Sequence, residues 1–310
     1  MSQILTLKAS CWGHIDGRYT HQFNPVQKSS LNFPIKPVTT HSFRILSWFF
    51  KSGTYPIIKK AFLLTLLILF SEKLFSQELI QTDRPDQTEG VFVVDKKTLQ
   101  IETGFFVGKN RDQTYNYIIP TTLLKYGITK NLELQSIIDV INIQGKYGVA
   151  PVALGFKANF VKEKGIRPEI ALIGRAQVKN LGGQEYKINK TLTMFRVAFQ
   201  NTLSDLVVLG YNFGMQWNEF EKPSYILSVT SNFNLSRQLT VYTELFNFTS
   251  EQSFLNPIVD FGGMYSFKNR FIVDAAIGKH LNPSNQQNFF FTLGFTTRFS
   301  FLKKGESNQN

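Results

Sequence analysis

The sequence predicts an all-β fold, a transmembrane antiparallel up-and-down β-barrel of about 12 strands. Three observations predict it. An export signal precedes the main body, long segments alternate apolar with polar residues, and ionised side chains keep to one parity of those segments.

The export signal consists of Lys59 and Lys60, the apolar run 61–70 (AFLLTLLILF) and a small-residue site near Ser76. A helix that crosses a bilayer needs about 20 apolar residues, so this run is too short to be one. The expected division is an unassigned leader at 1–56, with the look of an over-extended start, then a signal peptide at 57–77. A periplasmic N-terminal segment at 78–96, an outer-membrane β-barrel at 97–301 and a tail at 302–310 follow.

Composition removes several function classes. The net charge of +12 comes from 34 basic and 22 acidic residues, but nine of the basic and two of the acidic lie in 1–77. The remaining 25 and 20 form no basic run or stripe, so nucleic acid is not an expected partner. The one cysteine, Cys11, sits in the leader. The mature chain is therefore expected to hold no disulfide, thiolate nucleophile or cysteine metal site. The 30 Phe and 11 Tyr suit the aromatic girdles of a membrane barrel.

Twelve segments alternate: 97–108, 114–128, 132–143, 149–162, 167–178, 187–203, 206–218, 224–236, 239–250, 256–268, 271–281 and 288–301. They exceed the usual globular strand of about five or six residues and match a tilted bilayer crossing with overhang. Short turns are expected near 129–131, 163–165, 204–205, 236–238 and 268–270. Longer loops are expected near 109–113, 144–148, 179–186, 219–223, 251–255 and 282–287. That alternation places both barrel ends of the chain on the short-turn, periplasmic side.

A basic side chain facing lipid at mid-bilayer costs about 2–4 kcal/mol, so charges should face the lumen. Glu133, Asp139, Arg167, Glu169, Arg175, Arg196, Glu244, Asp260, Asp274 and Arg298 are the expected lumen-lining residues, with Glu102 and Lys157 on the same parity. Lys125 and Lys279 break the pattern and are expected to snorkel to water from segment ends. Two lumens fit these charges: a narrow aqueous pore with a selectivity field, or a plugged barrel held by an internal lattice of ion pairs.

Catalytic signatures are missing from the sequence. There is no G-x-S-x-G or H-E-x-x-H, and His280 lies six residues from Asp274, about 20 Å along a strand. No enzyme activity, cofactor or metal is expected. The 262–266 stretch (GGMYS) reads as glycines that permit close packing or curvature.

The run Thr82, Asp83, Arg84, Pro85, Asp86, Gln87, Thr88 and Glu89 opens the mature chain, and 117–135 (YIIPTTLLKYGITKNLELQ) follows it. Together they resemble the family of outer-membrane barrels named for the meta-pathway of phenol degradation. The chain departs from that family at Gly90-Val91, where Ser-Pro is common, and at Asp95, where proline is. The resemblance implies a barrel that passes hydrophobic or aromatic molecules. From the residues alone, two arrangements of 82–90 stand open: tucked into the periplasmic mouth against luminal charges, or a solvated linker.

The expected function is a passive channel or transporter of small molecules in the cell outer membrane. The alternatives are a structural or interaction barrel without transport and, further off, a barrel hydrolase. Expected partners are outer-membrane lipid, a small-molecule solute, and the barrel-assembly machinery, which would read the terminal 289–301 (FFFTLGFTTRFSF).

Overall fold

In the computed structural model the described residues are 80–143, 145–217, 223–249, 256–267, 271–283 and 287–301. The leader, the export signal and the tail lie outside them. The described residues form thirteen strands: β1 (Thr98–Asn110), β2 (Tyr115–Thr129), β3 (Leu132–Ile143), β4 (Lys146–Val149), β5 (Ala153–Val161), β6 (Glu169–Gln177), β7 (Leu192–Thr202), β8 (Val207–Trp217), β9 (Pro223–Asn234), β10 (Leu239–Thr249), β11 (Pro257–Phe267), β12 (Phe271–His280) and β13 (Gln287–Ser300). Every pairing is antiparallel, each strand from β5 to β12 pairs with the next, and β13 pairs with β1, so the sheet closes. Closure removes the free edges that an open sheet would expose to lipid.

Thirteen strands make a barrel of twelve because β4 and β5 share one place in the wall. β5 pairs with the lower half of β3 from Leu132 to Ile137, and β4 with its upper part from Val140 to Ile143. Between them lie Ala150, Pro151 and Val152. Pro151 has no N–H for the ladder and interrupts it there. The long loop expected at 144–148 is therefore a tight hairpin turn, with Lys146–Val149 already in the sheet. Residues 178–191 fold back onto this hairpin: Gly183 N–H donates to the Val149 carbonyl at 2.8 Å and Tyr186 Oη to the Lys146 carbonyl at 2.7 Å. Loop lengths also alternate less cleanly than expected, since β1 and β2 are joined by 111–114 while 162–168 join β5 and β6 on the short-turn side.

The two faces differ in the way a bilayer demands. Outward residues include Phe105, Leu134, Phe213, Phe261, Ile277 and Phe295, all large, apolar and more than a third exposed. Aromatics gather at both ends: Phe199 stacks on Tyr211 at 5.1 Å and Phe267 on Phe271 at 4.7 Å near one rim, and Tyr115 on Tyr117 and Phe213 on Tyr225 near the other. An uncovered belt this large would drive aggregation in water and is stable against acyl chains.

Candidate functional site: the barrel interior

The inward residues form two tiers. Above mid-height they include an apolar cluster, with Phe106, Ile118, Ile137, Ile141, Ile173, Met194, Phe246, Phe248, Ile258 and Phe290 in it, and at the long-loop mouth the polar Asn110, Asn116, Gln177, Gln216, Ser224 and His280 are buried beside it. Toward the short-turn end they are charged or hydrogen-bonding, and against them lies the chain's own N-terminal segment. Ile80, Asp83, Pro85, Thr88, Val91 and Val94 are all buried. From Ile80 to Val94 this segment crosses the interior, then leaves at Asp95, where Lys97 N–H donates to the Gly127 carbonyl at 2.8 Å.

The 82–89 run is held at nearly every residue. Thr82 Oγ1 donates to Glu102 and lies 2.9 Å from Thr296 Oγ1. Asp83 sits between Lys125 and Lys157, at 2.7 Å from the latter, and caps Gly90 N–H at 2.9 Å. Arg84 forks onto Asp274 and Thr292 at 3.2 and 2.8 Å. Pro85 is buried without a donor to satisfy. Gln87 and Thr88 N–H both donate to Glu244, at 2.8 and 2.6 Å, and Thr88 Oγ1 reaches Glu244 and Ser228. The Gln87 carbonyl accepts from Arg196 at 2.6 Å. Glu89 receives the Arg175 guanidinium in a two-pronged contact, while its backbone exchanges two hydrogen bonds with Asn212. A backbone run inside a barrel has no sheet to satisfy it; here side chains from the wall supply its partners.

Charges set the protonation of the segment. Burial pushes the Asp83 carboxyl up, but Lys125 and Lys157 outweigh it and hold the group well below the ordinary carboxylate range. Glu89 is likewise raised by burial and lowered further by Arg175, with a net fall. Asp86 goes the other way: burial and then Glu244, Asp260 and Asp83 push it well above its ordinary value.

Space for the segment comes from glycines. Gly104 and Gly294 are cross-strand partners, and a Cβ on either would lie 2.3 or 2.5 Å from the Arg84 guanidinium. A Cβ on Gly127 would lie 2.0 Å from the Asp95 carbonyl oxygen, which is backbone. These three positions form the slot through which the segment passes. At 262–263, a Cβ on Gly262 would strike the Tyr242 ring at 2.5 Å, a close packing of the kind expected for that stretch.

Of the residues expected to line the lumen, Glu133, Asp139, Arg175, Arg196, Glu244, Asp260 and Asp274 are buried on the inner face. Glu133 accepts Val94 N–H at 2.7 Å. Arg298 and Glu169 lie at the short-turn end, partly exposed, on Gln100 at 3.0 Å and Lys162 at 2.9 Å. Arg167 is a correction: it precedes β6 in the turn, is exposed, and donates to the Lys162 carbonyl at 3.1 Å. The backbone turns before the strand begins, so parity with Glu169 has no meaning there.

Lys125 is a second correction. It does not snorkel but is fully buried, 2.6 Å from Glu102 and in contact with Asp83, with the Phe92 ring 4.3 Å away. A register shift across Ile118–Thr121 flips the phase of β2, so even-numbered residues face inward before it and odd-numbered residues after it. Lys279 stays outside and exposed near the rim, over the Phe289 ring at 5.2 Å. His280 is buried, whereas Asp274 is engaged by Arg84. Among the described residues no group of three His, Cys, Asp or Glu side chains is placed to hold a metal.

A cavity of about 80 Å³ lies where the two tiers meet, bounded by Phe106, Leu123, Ile137 and Phe290 on the wall and by Arg84, Asp86, Arg175 and Arg196 beneath. The Phe106 and Phe290 rings stack there at 5.4 Å.

The barrel is similar to the COG4313 outer membrane channel from Pseudomonas putida F1, with a TM-score of 0.53 at 9% identity over 67% of this chain and 98% of that one. The KdgM porin in complex with disordered oligogalacturonate aligns at a TM-score of 0.49 and 10% identity over 64% of this chain and 99% of its own. No curated protein matches the chain in sequence. The model of the family described as "Putative MetA-pathway of phenol degradation" matches residues 82–299, from the 82–89 run inside the barrel into the last strand of the wall, and the chain belongs to that family.

Proposed function

We propose that the protein is a passive outer-membrane channel for small molecules of apolar or aromatic character, held closed here by its own N-terminal segment. The observation that carries this reading is the kind of closure. A barrel with a purely structural interior can fill it with side chains from its own wall. This interior instead holds a separate strip of chain, fastened by ion pairs and hydrogen bonds to β1, β2, β5, β6, β7, β8, β10, β12 and β13. Such a strip can leave without unfolding the wall. Directly beyond it the inner surface narrows to an apolar belt that includes Phe106, Phe246, Phe248 and Phe290, a passage that suits solutes of that character, with the hydrogen-bonding Asn110, Asn116, Gln177, Gln216 and His280 at the mouth above it.

The same reading places lipid around the outward belt, the barrel-assembly machinery on the terminal strand, and residues 78–96 inside the lumen in the closed state. It assigns the buried charges to holding the segment and no residue to catalysis. The test is solute flux into liposomes carrying the purified protein, across a series graded in size and polarity. Faster entry of small aromatic solutes than of sugars of equal size is expected. Equal permeability to both would remove the solute class, and no entry of any solute would remove the channel.

A further inference from the structure

Lys279 has no role in the interior, and its surroundings suggest one outside. It lies opposite Phe289, which on its other side lies opposite Lys109, which in turn lies opposite Tyr115. Cross-strand partners share a face. The row Tyr115, Lys109, Phe289 and Lys279 therefore runs across β2, β1, β13 and β12 on the outward surface, and Lys279, Phe289 and Tyr115 are all exposed. The two lysines stand two strands apart, about 10 Å. Above them, in the turn between β1 and β2, Arg111 donates to the Asn282 carbonyl at 3.2 Å and joins the two rim loops that flank the row.

An ammonium on the lipid-facing side needs a partner. Among the described residues neither lysine reaches a carboxylate, and Lys279 lies over the Phe289 ring at 5.2 Å. The row lies at the end of the barrel away from Thr98 and Ser300, the end that faces outward if the channel reading above is right, since the inference rests on that orientation. At that height the surrounding leaflet carries phosphorylated sugars. Two ammonium groups with an aromatic ring between them, and a guanidinium above, match a headgroup with more than one phosphate and acyl chains alongside. We infer that Lys109, Phe289 and Lys279, with Arg111 above them, form a docking site on the outer wall for a phosphorylated glycolipid of the outer leaflet.

The test titrates the detergent-purified full chain with bis-phosphorylated lipid A and reads bound lipid by native mass spectrometry. Lys109→Gln and Lys279→Gln are each expected to weaken binding about fivefold and the pair ~25-fold, while Lys130→Gln at the opposite rim changes nothing. Lys279 and Lys130 are exposed and Lys109 partly so, and the heat-dependent gel shift of a folded barrel checks each variant. Lipid A stripped of its phosphates binding as tightly, phosphatidylglycerol competing on equal terms, or unchanged binding by the double variant would each overturn the site. If lipid A fails to bind while solutes still pass, this inference falls and the channel stands. If lipid A binds through both lysines while no solute passes, the channel falls and the site stands.

Discussion

Replacing Asp83 by Asn should unlatch the N-terminal segment while leaving the wall intact. Asp83 is the carboxylate that both Lys125 and Lys157 contact, and all three side chains are almost wholly buried. Removing one partner of a buried pair costs about 3–5 kcal/mol because the other charge is left without compensation. Lys125 retains Glu102 at 2.6 Å and Lys157 retains Glu89 at 3.6 Å, so the low end applies. About 3 kcal/mol is roughly two powers of ten in the ratio of docked to undocked segment. Amide hydrogen exchange reads that ratio directly. Protection at residues 82–94 should fall about a hundredfold, and single-channel recordings should show longer or more frequent openings, with strand amides unchanged. Coupling with Lys157→Met in a double-mutant cycle should be about 0.5–3 kcal/mol. Unaltered protection and unaltered current in Asp83→Asn would refute the argument that ion pairs hold the segment.

Asp86 makes docking pH-dependent with a definite sign. Its carboxyl is raised in the docked state, so its contribution to docking is fully present below the ordinary carboxylate value and is lost as pH rises through the raised one. Exchange at 82–94 should quicken as pH rises beyond the intrinsic chemical rate, and Asp86→Asn should flatten that excess. Gly294→Ala should push the Arg84 guanidinium off Asp274, an overpacking cost of about 1–3 kcal/mol, seen as lost protection near Arg84 with a wall of normal stability. Phe261→Arg, at mid-height on the lipid face, should lower the unfolding free energy of the barrel by about 2–4 kcal/mol in denaturant titration from lipid vesicles. An unchanged midpoint for that variant would argue against the outward belt lying in lipid.

Much of the wall could be read in advance because a membrane barrel imposes one rule on every strand. Period-two alternation and the cost of a charge in lipid act locally, so Arg175, Arg196, Glu244 and Asp274 could each be assigned a face from their neighbours alone. Lys125 could not, because the register shift at Ile118–Thr121 reverses the phase of the residues that follow. Pro120 was the available signal, since proline in a strand marks a bulge or an edge. Arg167 was misplaced for a related reason: parity says nothing about where a turn ends. The short strand β4 was hidden because Gly145 and Gly148 make 144–148 look like a loop.

What the sequence determined by itself was a closed antiparallel wall with one apolar and one charged face, because those properties repeat every second residue along each strand. What only the tertiary structure decided was who meets whom inside it. Asp83 joins Lys125 and Lys157, Glu89 joins Arg175, and Gly104 and Gly294 open a notch for Arg84, across sequence separations that reach 210 residues between Arg84 and Gly294. Such pairings depend on the circumference of the closed barrel and the path of a segment that belongs to no strand. No periodicity in the chain encodes either.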